Sequence, residues 1–448
     1  MSMQLYIIYG NTTLDLQDAG YKLIDGFYPE TPAEDAESVT ERFDIFIIGS
    51  SDSDLRSKIN GIRMALEHAK AHKNDALAAY LYYDVSDSGD AWMSKLLSGQ
   101  ILYDSKLDHR WRESKAKVSI ILEHKPYWDT VDETQVPLTN GNGTNDTSGL
   151  AIFNHDDGGG ASPNHHDNWA TIAAADVLGD LPGPTRLEIT NAFVDHLLYI
   201  VWIGQNWTDP DNFTHILEGE ASSTGSEQDD EGSSGAHYMR YALGSGSEAE
   251  MFTWALSAAY LNACKGNYYK IMARFPASAP TNVKLRLKLE YNVTTVWQSG
   301  LTTIDTSSAT QIKDLFTMRL PPWLLGQTDL AGLSLIMSGY QSTGGPVNVD
   351  LDFLQVTPLD GYRQLKCAGY GVAQNERMVD DAFRECKYID DGADAKAGIL
   401  LGFGSPIHLY PGKKQKLYFL LHSNIMNHAE IDRKITIKLF YHPRRQTL

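Results

Sequence analysis

Residues 154–169 read NHDDGGGASPNHHDNW. Imidazoles and carboxylates crowded around a glycine run are raw material for holding a metal or moving a proton. The spacing supplies neither. His165 and His166 are adjacent, so on a strand they point to opposite faces and cannot easily share one ion. His155 and Asp157 reach Asp167 only if the glycine run folds back. No H-E-x-x-H motif and no calcium-loop spacing occurs. Gly, Asn, Asp and Pro are also the residues that build turns. The stretch therefore reads as a loop between the strands LAIF and WATIAA. A subunit contact through its His and Asp residues would depend on pH.

A second group of carboxylates has a more regular spacing. ILEGEAS places Glu218 and Glu220 two apart, on one side of a short strand. VNVDLDFLQV carries Asp350 and Asp352 near the far end of the same unit. First and last strands of a sandwich commonly neighbour each other, so two readings stay open. The carboxylates are hard oxygen ligands for Ca²⁺, or they are edge-strand charges that discourage aggregation. Trp297 in TTVWQSG and Tyr340 in SGYQST are candidate rings for stacking on sugars. There is no nucleophile elbow, phosphate loop or dinucleotide fingerprint. GFGSPIHLYPG contains Gly402, Gly404 and Ser405 but no G-x-S-x-G. No carboxylate pair stands out as catalytic, so neither an enzymatic activity nor a required cofactor is expected.

Elements must position these groups. The 448 residues are 42% apolar and 21% charged, enough for several domains with ordinary cores. The net charge of −19, with Lys and Arg scattered, argues against nucleic-acid binding and against anionic membranes. Cys264, Cys367 and Cys386 lie far from any C-x-x-C spacing, which argues against a disulfide framework or a zinc ribbon. MSMQLYIIYG lacks the features of a signal peptide, and no apolar run is long enough to span a bilayer. No membrane insertion is expected.

Short apolar runs separated by Gly, Thr, Ser and aromatic residues predict a mainly β protein built from β-sandwich domains. One amphipathic helix is predicted over 54–72, with Asp54 as N-cap and Leu55, Ile59, Ile62, Leu66 and Ala69 on one stripe. In NVKLRLKLEYN, Val283, Leu285, Leu287, Leu289 and Tyr291 alternate with polar residues, which predicts a half-buried antiparallel strand. Residues 1–128 form a β-sandwich with the one helix. Residues 129–148, polar and rich in Gly and Asn, are a linker. Residues 149–207 with 366–448 form a second β-sandwich, into which 208–365 are inserted, because the last strands are too few to stand alone.

DLRSKINGIRMALEHAKAH followed by strands ending in HKPYW, then GDLPGPTRLEITN, and finally LYPGKKQKLYFLL with ITIKLFYHPRRQTL, resemble the tail proteins of long-tailed bacteriophages. The resemblance is to distal tail proteins and the related tail-tube proteins. The third unit is similar to jelly-roll carbohydrate-binding modules. LEGEAS matches their early Glu-x-Glu, and VDLDFLQV their late Leu-Asp-aromatic run. The resemblance implies a structural virion protein, made in the host bacterial cytoplasm and located in the virion tail. It implies a ring, hexameric in that family, contacting other tail proteins and displaying the inserted unit toward host-surface glycans. It implies that Glu220 and Asp352, with Glu218 beside them, ligate a structural Ca²⁺. DNA would pass through the lumen unbound, so residues 1–128 should line it with carboxylates. A stand-alone carbohydrate-binding or adhesin protein, or a carbohydrate-active enzyme, are the alternatives.

Overall fold

Period-two patterning becomes antiparallel sheet along most of the chain. The computed structural model describes residues 3–24, 27–33, 36–85, 91–103, 114–141, 143–144, 149–154, 167–192, 197–230, 233–264, 268–276, 282–303, 312–324, 332–359, 361–368, 371–391, 395–396, 399–423 and 434–446, and all structural statements refer to these. The protein is mainly β and rich in packed antiparallel sheets.

The first unit is one sheet in the order Thr12–Asp15, Met3–Tyr9, Ala79–Val85, Ala91–Tyr103, Lys115–His124, Val39–Ile48, Tyr21–Leu23. Along Val39–Ile48, Phe43, Ile45 and Ile47 point inward, and Val118, Ile120 and Leu122 do the same on the neighbouring strand. The two edge strands, Thr12–Asp15 and Tyr21–Leu23, are joined by residues 16–20 alone. Such a link spans at most roughly 17 Å, so the sheet curls until its edges approach each other. The helix Asp52–Ala71 lays Leu55, Ile59, Ile62, Leu66 and Ala69 on the core face. Each such buried Leu or Ile contributes about 1.5–3 kcal/mol. The helix starts before its predicted N-cap. Ser51 is the cap, its hydroxyl accepting from Asp54 N at 3.2 Å, while the Asp54 carboxylate accepts from Ser50 N at 2.7 Å. No helix among the described residues is long and apolar enough to cross a membrane.

The expected linker 129–148 is not one. Val136 and Leu138 are fully buried in the second core, and Thr134–Gln135 and Thr139–Asn140 join its sheets. Two buried apolar side chains outweigh a polar surrounding composition.

The second unit pairs strands from both flanks of the chain. One sheet runs Gly143–Thr144, Thr139–Asn140, Trp169–Ile172, Gln415–Ser423, Leu198–Asn206, Arg363–Ala368, Ile399–Gly404. The other runs Leu150–Ile152, Ile435–Tyr441, Gly183–Asn191, Arg377–Asp381, Cys386–Asp390, Ala395–Lys396. The return strand begins at Arg363, not 366. Arg444–Arg445 leave this unit and pair with Trp128–Thr130 on the first sheet.

The third unit stacks Ile216–Glu218, Phe353–Pro358, Tyr268–Arg274 and Ile312–Arg319 against a sheet of Glu248–Ala255, Leu333–Gln341, Val283–Tyr291 and Thr294–Gln298. A three-stranded sheet, Ser226–Asp229, His237–Leu243 and Val347–Leu351, extends it. The ambiguous stretch MFTWALSAAYLNAC is both things: strand up to Ala255, then the short helix Ala258–Cys264.

Candidate functional site

Asp352 sits between Val347–Leu351 and Phe353–Pro358, consecutive strands that belong to different sheets. At that crossing its carboxylate is fully buried. It forms an ion pair with Arg274, which is equally buried, and accepts from Ser234 N at 2.9 Å. Strand Ile216–Glu218 pairs with Phe353–Pro358, Glu218 facing Phe353. Its continuation, Gly219, donates its N–H to Asp352 O at 2.5 Å. A Cβ at Gly219 would meet Leu351 O at 2.3 Å, so only glycine fits there.

The three predicted carboxylates border one turn. Ser234 Oγ donates to Glu218 Oε1 at 3.0 Å, and Ser234 N serves Asp352. Glu220 Oε1 lies 3.1 Å from where a Cβ on Gly235 would stand, and Gly235 has φ +62°. Glu220 Oε2 is buried with no hydrogen-bond partner. Burial pushes the Glu220 carboxyl up; its own backbone N–H opposes this and the Asp352 carboxylate adds to it. Burial also pushes Asp352 up, against the pull of Arg274. Asp350, the fourth carboxylate of the pattern, is held in a two-pronged pair by Arg240 at 2.7 and 2.8 Å.

An all-oxygen donor set suits a hard cation, and the orphaned Glu220 oxygen fits one as a ligand. Arg274 already supplies one positive charge to Asp352. Among the described residues no three His, Cys, Asp or Glu side chains are grouped closely enough to hold a metal ion. The carboxylates share a neighbour without converging on one point.

Trp297 and Tyr340 lie on opposite faces of one sheet. Trp297 is paired with the buried Leu289 and packs on the core, while Tyr340 is paired with Lys284 and Glu248. The third unit's exposed rings are elsewhere. Tyr268 is 47% exposed with Arg319 stacked 5.1 Å above it, and Trp323 is 51% exposed, edge-on to Tyr291. A Trp directly after Pro321 and Pro322, in a turn, was the available sequence signal.

Residues 155–166 of the opening His/Asp stretch, with His155, Asp157, His165 and His166, lie outside the described residues. Its flanks are fixed. Asn154 bridges strand Gln415–Ser423 through both amide atoms, at 2.8 Å to Leu421 O and 2.6 Å from Leu421 N. Phe153 N donates to Asp167 O at 2.9 Å.

One line of side chains in the first unit has the order of a hydrolytic triad. Ser94 Oγ lies 2.8 Å from His124 Nδ1, and His124 Nε2 lies 3.5 Å from Glu41 Oε1. All three are buried, and the hydroxyl donates to Lys125 O at 2.9 Å. A nucleophile must reach its substrate. Here the serine is spent on a backbone carbonyl, and the group ties three strands together.

No family model matches the chain, and no curated protein matches it. Among solved structures, the chain is similar to one from the phage P2 baseplate in its activated conformation with Ca, at 10% identity and a TM-score of 0.26, covering 76% of this chain and 99% of that one. A phage P2 baseplate chain with Sr gives 7% and 0.20, covering 80% and 98%. The exo-β-1,3-galactanase of Phanerochaete chrysosporium with galactose gives 14% and 0.20, covering 64% and 66%. Likenesses this low carry no argument, so the functional reading stands on the chain's own residues and geometry.

Proposed function

We propose that the chain is a structural component of a phage-type tail. It assembles with copies of itself into a ring and with other tail proteins, and it carries the third unit outward as a glycan-binding module. The supporting observation is the build of the first two units. A curled sheet holding one helix takes its last strand from the far end of the chain, through Arg444–Arg445. That fastens it to the sandwich bearing the inserted unit. The sheet-plus-helix unit and the GPTRLEITN and ITIKLFYHPRR strands are those on which the phage-tail resemblance rests.

In this reading the structure serves assembly and no reaction. Ca²⁺ would have to draw Glu218, Glu220 and Asp352 together at Ser234–Gly235 from their present positions, and the orphaned Glu220 oxygen is the observation that supports such a structural site. The ring's inner surface is acidic. Native mass spectrometry with negative-stain imaging tests the assembly: closed rings of this chain support it, and a monomer at micromolar concentration overturns it.

The exposed Tyr268 and Trp323 favour a second reading, a stand-alone glycan-binding protein. Glycan-array binding by a monomer, lost in Trp323→Ala, would establish it.

A further inference from the structure

The third unit is docked on the second through a mainly apolar contact. Trp202 and Leu420 of the second unit pack with Ile216, Met272, Ile312 and Phe353. Tyr418 joins Phe213 and Tyr269 beside them. One imidazole stands inside this contact. His215 is 3% exposed and stacks on Tyr418 with centroids 4.5 Å apart.

A polar relay fixes the state of that ring. His215 Nε2 lies 2.5 Å from Asn168 Oδ1; Asn168 Nδ2 donates to Gln355 Oε1 at 3.2 Å; Gln355 Nε2 donates to Thr357 Oγ1 at 3.4 Å. Asn168 Oδ1 accepts, so Nε2 carries a hydrogen, and burial disfavours the charged ring and keeps the imidazole neutral. A second proton must go to Nδ1.

Among the described residues that face the ring, none is an anion. From strand Gln415–Ser423 the groups facing the ring are Tyr418 and Lys416, and Lys416 is cationic. From Phe353–Pro358 they are the neutral Gln355 and Thr357, and from the segment before Trp169 the neutral Asn168. Around Tyr418 lie Tyr260, Tyr269 and Cys264; burial keeps Tyr260 and Cys264 un-ionised. Asp211 lies nearer Tyr418 and is paired with Lys414.

We propose that His215 is an acid-sensitive latch: its protonation loosens the third unit from the second. The proposal concerns the two units of one chain and does not depend on ring assembly. Burial, then Lys416, holds the docked imidazole well below its ordinary value of 6.5. Released from the contact, the ring regains that value. The docked state therefore binds fewer protons than the open one, and docking is complete above pH 6.5. It weakens about tenfold for each pH unit below that, until the docked imidazole itself titrates.

Hydrogen–deuterium exchange of peptides covering 207–216 and 353–359 tests this on the full chain, corrected for intrinsic exchange at each pH. First-unit peptides serve as the control. Opening should rise as pH falls below 6.5 in the wild type, approaching about tenfold per unit, and stay flat in His215→Gln. A flat wild-type profile, or an equal rise in His215→Gln, overturns the latch. If the variant does not fold, the wild-type imidazole read by NMR decides. Titration near 6.5 in the docked protein overturns the proposal, and titration well below it upholds the latch.

Discussion

Arg444 clasps Asp129 across 315 residues of chain, its Nε and Nη2 donating to the two carboxylate oxygens at 2.7 and 3.0 Å. The pair seals the only strand that the C-terminal segment adds to the first sheet among the described residues. Arg444 also lies 3.5 Å over the Tyr127 ring. Asp129→Ala leaves the guanidinium without its partner in a largely buried place. It should cost about 3 kcal/mol. In a denaturant titration the first unit's transition should shift to lower concentration, ahead of the others. A single unshifted transition would show that the clasp adds nothing.

Glu133 gives the fold an acid limit. Burial pushes its carboxyl up, but the His442 ring 3.7 Å away and the hydrogen bonds and charge of Arg186 prevail and hold it at about 2. Arg186 Nη2 donates to it at 2.6 Å. A carboxyl lowered in the folded state adds stability above its unfolded value, 4.5, and that stability is lost as pH falls from there toward 2. The contribution at neutral pH is about 3 kcal/mol. Glu133→Gln should lower stability at pH 7 by that order and flatten the acid-denaturation curve between pH 4.5 and 2. An unchanged curve would refute the assignment.

Alternating apolar residues made the strands legible, and the stripe Leu55–Ile59–Ile62–Leu66–Ala69 made the helix legible, because each period is a local property of the chain. The linker misreading has the opposite cause. Val136 and Leu138 matter only because a sheet closes over them, and two residues in twenty do not change a composition. Arg274 is hidden in the sequence for the same reason. A buried arginine looks like any other in sequence, and only the crossing at Asp352 gives it a partner. The Glu-x-Glu and Asp352 carboxylates were legible as a group. Their shared turn at Ser234–Gly235 was not, since a Ser-Gly pair reads as ordinary loop.

Gly219→Ala tests that crossing. The added methyl would collide with Leu351 O, with Asp352 O also only 2.7 Å away. Both are backbone atoms, so relief requires moving the strand. A loss of at least about 2 kcal/mol is expected, read as a lower melting temperature. A neutral substitution would mean that the two strands can separate there without cost.

The proposed Ca²⁺ has a direct readout. At a hundred times its dissociation constant, a ligand bound to the folded state adds about 2.7 kcal/mol. Calcium chloride should raise the melting temperature of the wild type and leave Glu220→Gln unmoved. No response in the wild type would leave Arg274 as the sole counter-charge at Asp352.

The chain departs for the third unit along Leu198–Asn206 and comes back along Arg363–Ala368, and these two strands are hydrogen-bonded neighbours, Ile203 opposite Arg363. Seen from the second sandwich, residues 207–362 are simply the loop between two neighbouring strands. Closing a loop costs little more as it lengthens, each doubling adding only about 0.6 kcal/mol. The sandwich is thus a socket that accepts cargo of almost any length between two fixed posts. Exchanging the third unit for another module would keep the two posts, provided the new module re-covers Trp202, Tyr418 and Leu420.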